Sequence, residues 1–519
     1  MTLLSLAAVL AEPAWRQPER TAVIQGAESL SYAELWAEAR GQAAALAELG
    51  VRPGDRVALM SPNVFDFPRS YYAILAAGGV VVPVHMLLTP EEISYILRDS
   101  GAKLLIAHAI RAEDAVKAAA LAEVPVRLVG PRLSAENASL SPLPRLADDV
   151  ARVEPLTSYV ARQAEDPAVV IYTSGTTGKP KGAVLTNLNM VMNATVNGYD
   201  CLGVSKDDIA LGCLPLFHIF GQTVSMNTIF RIGATVVFQP RFEPGEAIDL
   251  MLEHEINSFH GVPQMYLALV QAGKARREAG GALPKLKIAV SGGAALPAAV
   301  LEAFNATFDA EIMEGYGLSE TSPTATANQP ALGTRAGTVG HAVWGSEVEV
   351  ARAEVEGRIE FVPRGELGEI VVRGHNVFAG YLDNPEATAA AMVDGWFRTG
   401  DLGTKGEDGF VTIVDRKKDM VLRGGFNVYP REVEETLLRH PAIRDVAVIG
   451  LPDDVHGEEI CACVILNDGA SLTSDELIEW SKEHLAKYKY PRRIEFVTAF
   501  PLGPSMKVLK RELRDRFAH

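Results

Sequence analysis

The chain has 519 residues, 48% of them hydrophobic and 22% charged, with a formal net charge of −16. At roughly 100–200 residues per domain, this length holds two to four domains, with cores large enough to need neither disulfides nor a structural metal. The acidic balance argues against a nucleic-acid binder, because affinity for phosphate backbones comes from lysine and arginine.

Met1 to Leu10 is apolar but has no basic leader, and Glu12, Pro13 and Arg16 follow at once. This predicts an amphipathic first helix rather than a secretory signal. No uncharged run of about 18 residues occurs, so no membrane-spanning helix is expected. Cys201, Cys213, Cys461 and Cys463 complete no zinc-type spacing and read as reduced thiols of a cytoplasmic protein.

The first 150 residues alternate helical stretches with short aliphatic runs: Tyr32 to Leu49, Arg56 to Met60, Tyr71 to Ala77, then Val80 to Val84. Apolar runs of this kind suit α/β strands buried on both faces. The rhythm continues through Ala210–Leu214, Thr235–Phe238, Lys287–Val290 and Glu311–Met313. Around Glu347–Ala351, Arg358–Val362 and Glu369–Arg373 it gives way to short strands with Gly and Pro punctuation, which predicts a small β-rich subdomain. A compact α/β unit follows, with helices at Pro430–Arg439 and Ser474–Leu485 and strands at Val446–Gly450 and Ile460–Leu466. The fold class is therefore α/β. Residues 1–415 form a large N-terminal region of several subdomains, and residues 416–519 a small, mobile C-terminal domain.

The most informative segment is Tyr172-Thr173-Ser174-Gly175-Thr176-Thr177-Gly178-Lys179-Pro180-Lys181-Gly182. It joins the apolar runs Val169 to Tyr172 and Ala183 to Leu185, so it reads as a donor-rich hairpin loop. Its glycines let backbone N–H groups approach a polyphosphate, while hydroxyls and lysine add donors and charge. It is not a Walker loop, because Thr173 stands where the first glycine is required and Pro180 follows Lys179.

This segment resembles the phosphate-binding signature of the acyl-adenylate-forming superfamily, which includes acyl-CoA synthetases, adenylation domains and luciferases. Further segments resemble its other signatures in order along the whole chain. Pro215-Leu216-Phe217-His218-Ile219-Phe220-Gly221 is similar to the gating segment of the acyl pocket. His260-Gly261-Val262-Pro263 and Ser291-Gly292-Gly293-Ala294 are similar to the pocket wall and the adenine-site turn. Gly315-Tyr316-Gly317-Leu318-Ser319-Glu320-Thr321 resembles the adenine and magnesium motif. Gly395-Trp396-Phe397-Arg398-Thr399-Gly400-Asp401 and Asp415-Arg416 resemble the ribose motifs.

The resemblance implies ATP or AMP, Mg²⁺ and coenzyme A as cofactors and an acyl-CoA ligase activity proceeding through acyl-AMP. Tyr316 offers a ring for adenine. Glu320 is an acidic oxygen suited to Mg²⁺, and Ser319 a hydroxyl for phosphate. Asp401 and Arg416 suit the ribose. Phe217, His218, Gly261 and Val262 are implied pocket residues, with His218 a gate rather than a general base, since a carboxylate is already ionised at neutral pH. Taken singly, Glu320 would read as a surface carboxylate, Tyr316 as a core tyrosine and Asp401 as a turn cap.

Adenylation is accelerated by positioning and charge stabilisation, and the family assigns a C-terminal lysine to it. Lys507 matches that lysine, Lys418 the hinge, and Gly424-Gly425 a loop along the pantetheine tunnel. The domain is expected to turn between the two half-reactions.

One residue departs from the pattern. Met506 stands where the family has glycine before the catalytic lysine. Either it is a tolerated variant, or it impairs adenylation and leaves an enzyme that thioesterifies an acyl-AMP supplied by a separate adenylating enzyme. The apolar segment from Phe217 to Thr235 suits a hydrophobic monocarboxylic acid, whether fatty, aryl or polycyclic. An enzyme loading a carrier protein remains open, as do a luciferase-like oxidative enzyme and a non-catalytic acyl or nucleotide binder.

Overall fold

The computed structural model describes residues 2–132, 143–173, 179–502 and 508–518. The chain divides into two compact units: residues 1–348 with 372–397, and residues 349–371 with 398–519.

The first unit is built on two large, mainly parallel sheets. The nine-stranded sheet runs in the order His341–Ala342, Thr324–Ala327, Ile312–Gly317, Ile288–Ser291, Ser258–Gly261, Ile209–Gly212, Thr235–Phe238, Thr21–Gln25, Glu28–Ser31. Its six central strands, from Ile312–Gly317 to Thr21–Gln25, are parallel. Strands such as Thr235–Phe238 and Ile288–Ser291 are buried at every residue, as their unbroken apolar runs require. The seven-stranded sheet runs Gly380–Tyr381, Lys181–Thr186, Pro167–Thr173, Val80–Pro83, Arg56–Met60, Leu104–His108, Val126–Val129. Pro167–Thr173 and Lys181–Thr186 form the expected antiparallel hairpin, with Thr173 opposite Lys181.

Three sequence expectations shift. The first helix is Ala8–Arg16, not Met1 to Leu10, and carries Pro13 within it. The run Arg358–Val362 contributes only the isolated bridge of Ala351 to Phe361, because Gly357, Pro363 and Gly365 leave too little chain to sustain a ladder. Val446–Gly450 lies inside a longer strand, Ile443–Asp453.

The second unit contains a five-stranded sheet in which Gly457–Leu466 pairs with Val421–Arg423, Ile443–Asp453 and Arg493–Phe496, and Phe426–Val428 lies beyond Val421–Arg423. Its helices are Pro430–Leu437, Ser474–His484 and Lys510–Phe517. The middle of these starts at a capping box, with the Thr473 hydroxyl accepting from Glu476 N–H and the Glu476 carboxylate accepting from Thr473 N–H. All four cysteines are buried free thiols. No helix among the described residues is long and apolar enough to cross a membrane.

Candidate active site

In the first unit the phosphate-loop hairpin is anchored at its base. Tyr172 donates from its hydroxyl to Asp99 at 2.6 Å, and Tyr95 donates to the Pro180 carbonyl at 3.0 Å. The Lys179 ammonium lies 5.5 Å from the Tyr95 ring centre. A cavity of about 210 Å³ opens here, lined by Tyr95, Asp99, Lys179, Lys181 and Asp383 among others. Thr173 closes the first strand of the hairpin. Ser174, Gly175, Thr176, Thr177 and Gly178 lie outside the described residues.

The Gly315–Thr321 motif leaves the end of Ile312–Gly317 and turns through a short 3₁₀ segment, Ser319–Thr321. Its shape depends on Gly317, where a Cβ would coincide with the Pro323 carbonyl oxygen and come within 2.6 Å of its carbon. Only glycine fits there. Glu320 is buried, and Tyr381 donates from its hydroxyl to Glu320 Oε1 at 2.8 Å. The other carboxylate oxygen makes no hydrogen bond among the described residues. Burial, and then the Glu320 charge, push the Tyr381 hydroxyl well above its ordinary pKa, so it remains a donor. Lys181 sits 5.2 Å from the centre of the same tyrosine ring.

The segments 215–221 and 260–263 both approach the 291–294 turn. A Cβ on Gly292 would lie 3.1 Å from Phe220 Cζ, and one on Gly293 would lie 3.7 Å from Val262 Cγ1. Phe217 packs on His85 with ring centres 4.0 Å apart. His218 is half-buried, and its Nδ1 accepts from Phe220 N–H at 3.2 Å. Behind the gating segment, Gly221–Asn227 forms a fully buried π-helix. Asn63 ties the start of this segment in place, donating to Gly212 O and Leu214 O and accepting from Leu216 N–H at 3.0 Å.

In the second unit Asp401 and Arg416 face one another on paired strands, with Arg416 Nε 3.1 Å from Asp401 Oδ1. The turn before Asp401 is organised by Glu369. It pairs with Arg398 at 2.5 Å, both side chains nearly fully buried, and accepts from Gly400 N–H at 3.1 Å. Asp415 is buried and accepts from the N–H groups of Arg416 and Arg431 at 2.7 and 2.9 Å. Burial raises its carboxyl pKa. Lys418 is exposed. Gly424 and Gly425 have φ of +57° and +82°, left-handed values that favour glycine, and Phe426 stacks on Tyr488 at 4.8 Å. Lys507 and Met506 lie outside the described residues. Leu502 and Val508, on either side of that stretch, form an antiparallel bridge. Sequence reading missed Glu369 and Tyr381, since each is an ordinary residue until its partner is known.

Sheets and motif loops in this arrangement define an acyl-adenylate-forming enzyme. The AMP-binding enzyme family matches residues 10–382, and its C-terminal domain family matches residues 432–507. The chain belongs to this AMP-binding family, among its acyl-CoA ligases. It is 34% identical to a long-chain-fatty-acid–CoA ligase of Bacillus subtilis (strain 168), over 98% of this chain and 94% of the relative. It is 36% identical to a feruloyl-CoA synthase of an Amycolatopsis species, over 96% of each chain. Among solved structures, ATP-bound MatB from Rhodopseudomonas palustris superposes with a TM-score of 0.89 at 32% identity, over 99% of both chains.

Such ligases use ATP, Mg²⁺ and coenzyme A. The residues present fit these groups, because Glu320 keeps one carboxylate oxygen unengaged and Gly317 keeps its turn clear. Bound Mg²⁺ supplies neutralisation of phosphate charge. The reaction has two steps. A carboxylate oxygen bonds to the α-phosphorus as the bond to pyrophosphate breaks, and then the coenzyme A sulfur bonds to the acyl carbon as AMP leaves, its proton passing to solvent.

Proposed function

We propose that this ligase activates a hydrophobic monocarboxylic acid and transfers it to free coenzyme A. The observation that carries this reading is the absence of a cationic anchor. No lysine or arginine stands in residues 217–230, in Ser258–Gly261 or in Ile288–Ser291, while Val224, Met226, Ile229 and Phe230 are buried there. A second carboxylate would enter without a counter-charge, at a cost of several kcal/mol.

In this reading Tyr316 stacks on adenine and Glu320 holds Mg²⁺. The 173–179 loop, with Ser319, takes the phosphates, and Asp401 and Arg416 take the ribose. His218 gates the acid pocket. Lys507 bridges acid and α-phosphate in the first step. Residues 416–519 then turn about Lys418, and the loop with Gly424 and Gly425 serves the pantetheine arm in the second. A second reading rests on Met506, which fills the place of the family's glycine. In that case adenylation fails and the chain thioesterifies acyl-AMP made elsewhere.

The test is pyrophosphate release from ATP and Mg²⁺ across fatty, aryl and dicarboxylic acids, with Met506→Gly alongside. Release with monocarboxylic acids by the native protein supports the complete ligase. Release by Met506→Gly alone supports the second reading. Preference for a dicarboxylic acid refutes the hydrophobic pocket.

A further inference from the structure

Two three-residue strands of the second unit, Val421–Arg423 and Phe426–Val428, pair antiparallel with Arg423 opposite Phe426. Gly424 and Gly425 between them both have positive φ, as the two-residue turn that matches the twist of a hairpin requires. So short a hairpin is marginal by itself, and Phe426–Val428 is an end strand of the five-stranded sheet. Residues 424–427 are exposed, yet Arg423, immediately before the turn, is buried.

Three tethers reach this hairpin from the neighbouring chain. The His456 carbonyl accepts from Gly424 N–H at 2.8 Å. Glu458 Oε2 accepts from Leu422 N–H at 2.6 Å. Glu459, on the strand Gly457–Leu466, takes the Arg423 guanidinium in a fork: Nε donates to Oε1 at 2.6 Å and Nη2 to Oε2 at 2.8 Å. Arg423 is also the residue at which its strand registers with Gly457–Leu466, opposite Gly457.

The tethers differ in what they fix. The first two each hold one main-chain amide. A planar, bidentate fork fixes direction as well as distance, and its two side chains are only 10% and 18% exposed, so little solvent competes for it. Desolvation offsets most of the attraction in a pair of this kind, so its return lies in geometry more than in stability. What it orients is a turn without side chains, and a ligand arriving there meets main chain. A Cβ on Gly425 would find nothing within 4 Å, so the space over the turn is open.

We infer that Arg423 and Glu459 are positioning residues for the coenzyme A half-reaction, their buried fork holding the Gly424–Gly425 turn in the orientation in which its main chain meets the pantetheine arm. This rests on the proposed role of that turn and deepens it. Both side chains act through the turn rather than on the ligand.

The test is calorimetric titration of coenzyme A into protein saturated with AMP, with titration of AMP alone beside it. Glu459→Gln keeps the shape of the pair and removes its charge. The double variant Arg423→Met with Glu459→Met replaces the buried pair by apolar side chains, an exchange that often leaves stability intact, and so serves if the first variant does not fold. Gly425→Val alters the turn itself. Thermal melting identifies the folded variants. Coenzyme A should bind roughly tenfold more weakly to the pair variants and to Gly425→Val, with AMP affinity unchanged. Native coenzyme A affinity in a folded pair variant overturns the inference, while weakened binding by Gly425→Val in the same experiment leaves the role of the turn standing. Native affinity in all three overturns both. Weakened binding in the pair variants alone overturns the inference, because the turn is then not the link. AMP affinity falling in step with coenzyme A affinity overturns it too, since the fork then supports the fold at large.

Discussion

The Tyr381 hydroxyl donates to Glu320 Oε1 at 2.8 Å, joining a residue far along the chain to the carboxylate proposed to hold Mg²⁺. Tyr381 belongs to the two-residue strand Gly380–Tyr381, which pairs with Lys181–Thr186, the second strand of the phosphate-loop hairpin. One short strand therefore fixes the carboxylate relative to the hairpin. Tyr381→Phe keeps the ring and removes the donor. The expected outcome is a roughly tenfold higher Mg²⁺ requirement for pyrophosphate release, in line with a hydrogen bond to a charged group of about 1.5–3 kcal/mol. Transfer from supplied acyl-AMP should change little. An unchanged Mg²⁺ titration would show that the hydroxyl does not position Glu320.

Gly317→Ala places a methyl group on the Pro323 carbonyl, with Thr321 Oγ1 a further 3.1 Å away. The backbone must shift, because the obstacle is main chain rather than the end of a flexible side chain. The motif that carries Tyr316 and Glu320 moves with it. Overpacking of this kind costs about 1–3 kcal/mol, and misplacement by about 1 Å of a positioning group costs about a hundredfold in rate. Adenylation kinetics and AMP binding should both fall in this variant, whereas Gly357→Ala, an exposed position without a positive φ whose Cβ would meet nothing within 4 Å, should leave AMP binding intact.

The parts legible in the sequence were those where a local pattern has one structural solution. Unbroken apolar runs such as Thr235–Phe238 have to be central strands, and a Gly-rich, hydroxyl-rich segment between two such runs has to be a turn. Long-range pairs were not legible. Nothing near Glu369 in the sequence indicates that it will bury itself against Arg398, 29 residues on. The Tyr381 and Glu320 pair spans 61 residues, and Ser225 meets His260 across 35. The first helix was placed too early because hydrophobicity without a cap does not mark a helix start. Ala7, at its N-cap, makes no side-chain cap hydrogen bond.

Glu369 and Arg398 have side chains only 4% and 7% exposed, and Glu369 also accepts from Gly400 N–H. Glu369→Ala leaves a buried guanidinium without its carboxylate and frees the turn that carries Asp401. Breaking one partner of such a pair costs about 3–5 kcal/mol. Denaturant unfolding should show a loss of that size, and ATP affinity should weaken. A loss below about 1 kcal/mol would mean that solvent reaches the pair and compensates it.

His260 also makes stability depend on pH in a window set by its own pKa values. In the unfolded chain its imidazole titrates near 6.5, and in the folded protein at about 4, because burial disfavours the charged form. No charged neighbour contributes to this shift, and the nearby Cys213 thiol is itself raised by burial to about 12 and stays neutral. Above pH 6.5 the imidazole is neutral in both states and adds nothing. As the pH falls from 6.5 towards 4, the unfolded chain takes up a proton that the folded protein refuses, so stability is lost, and below 4 the loss levels off. At pH 5 the two pKa values correspond to a loss of about 2 kcal/mol relative to pH 7. His260→Asn removes this dependence while keeping a neutral polar side chain. Native and variant unfolding free energies compared at pH 7 and pH 5 should therefore show the native protein losing about 2 kcal/mol more than the variant. Equal losses would mean that the imidazole is solvated or protonated in the folded state.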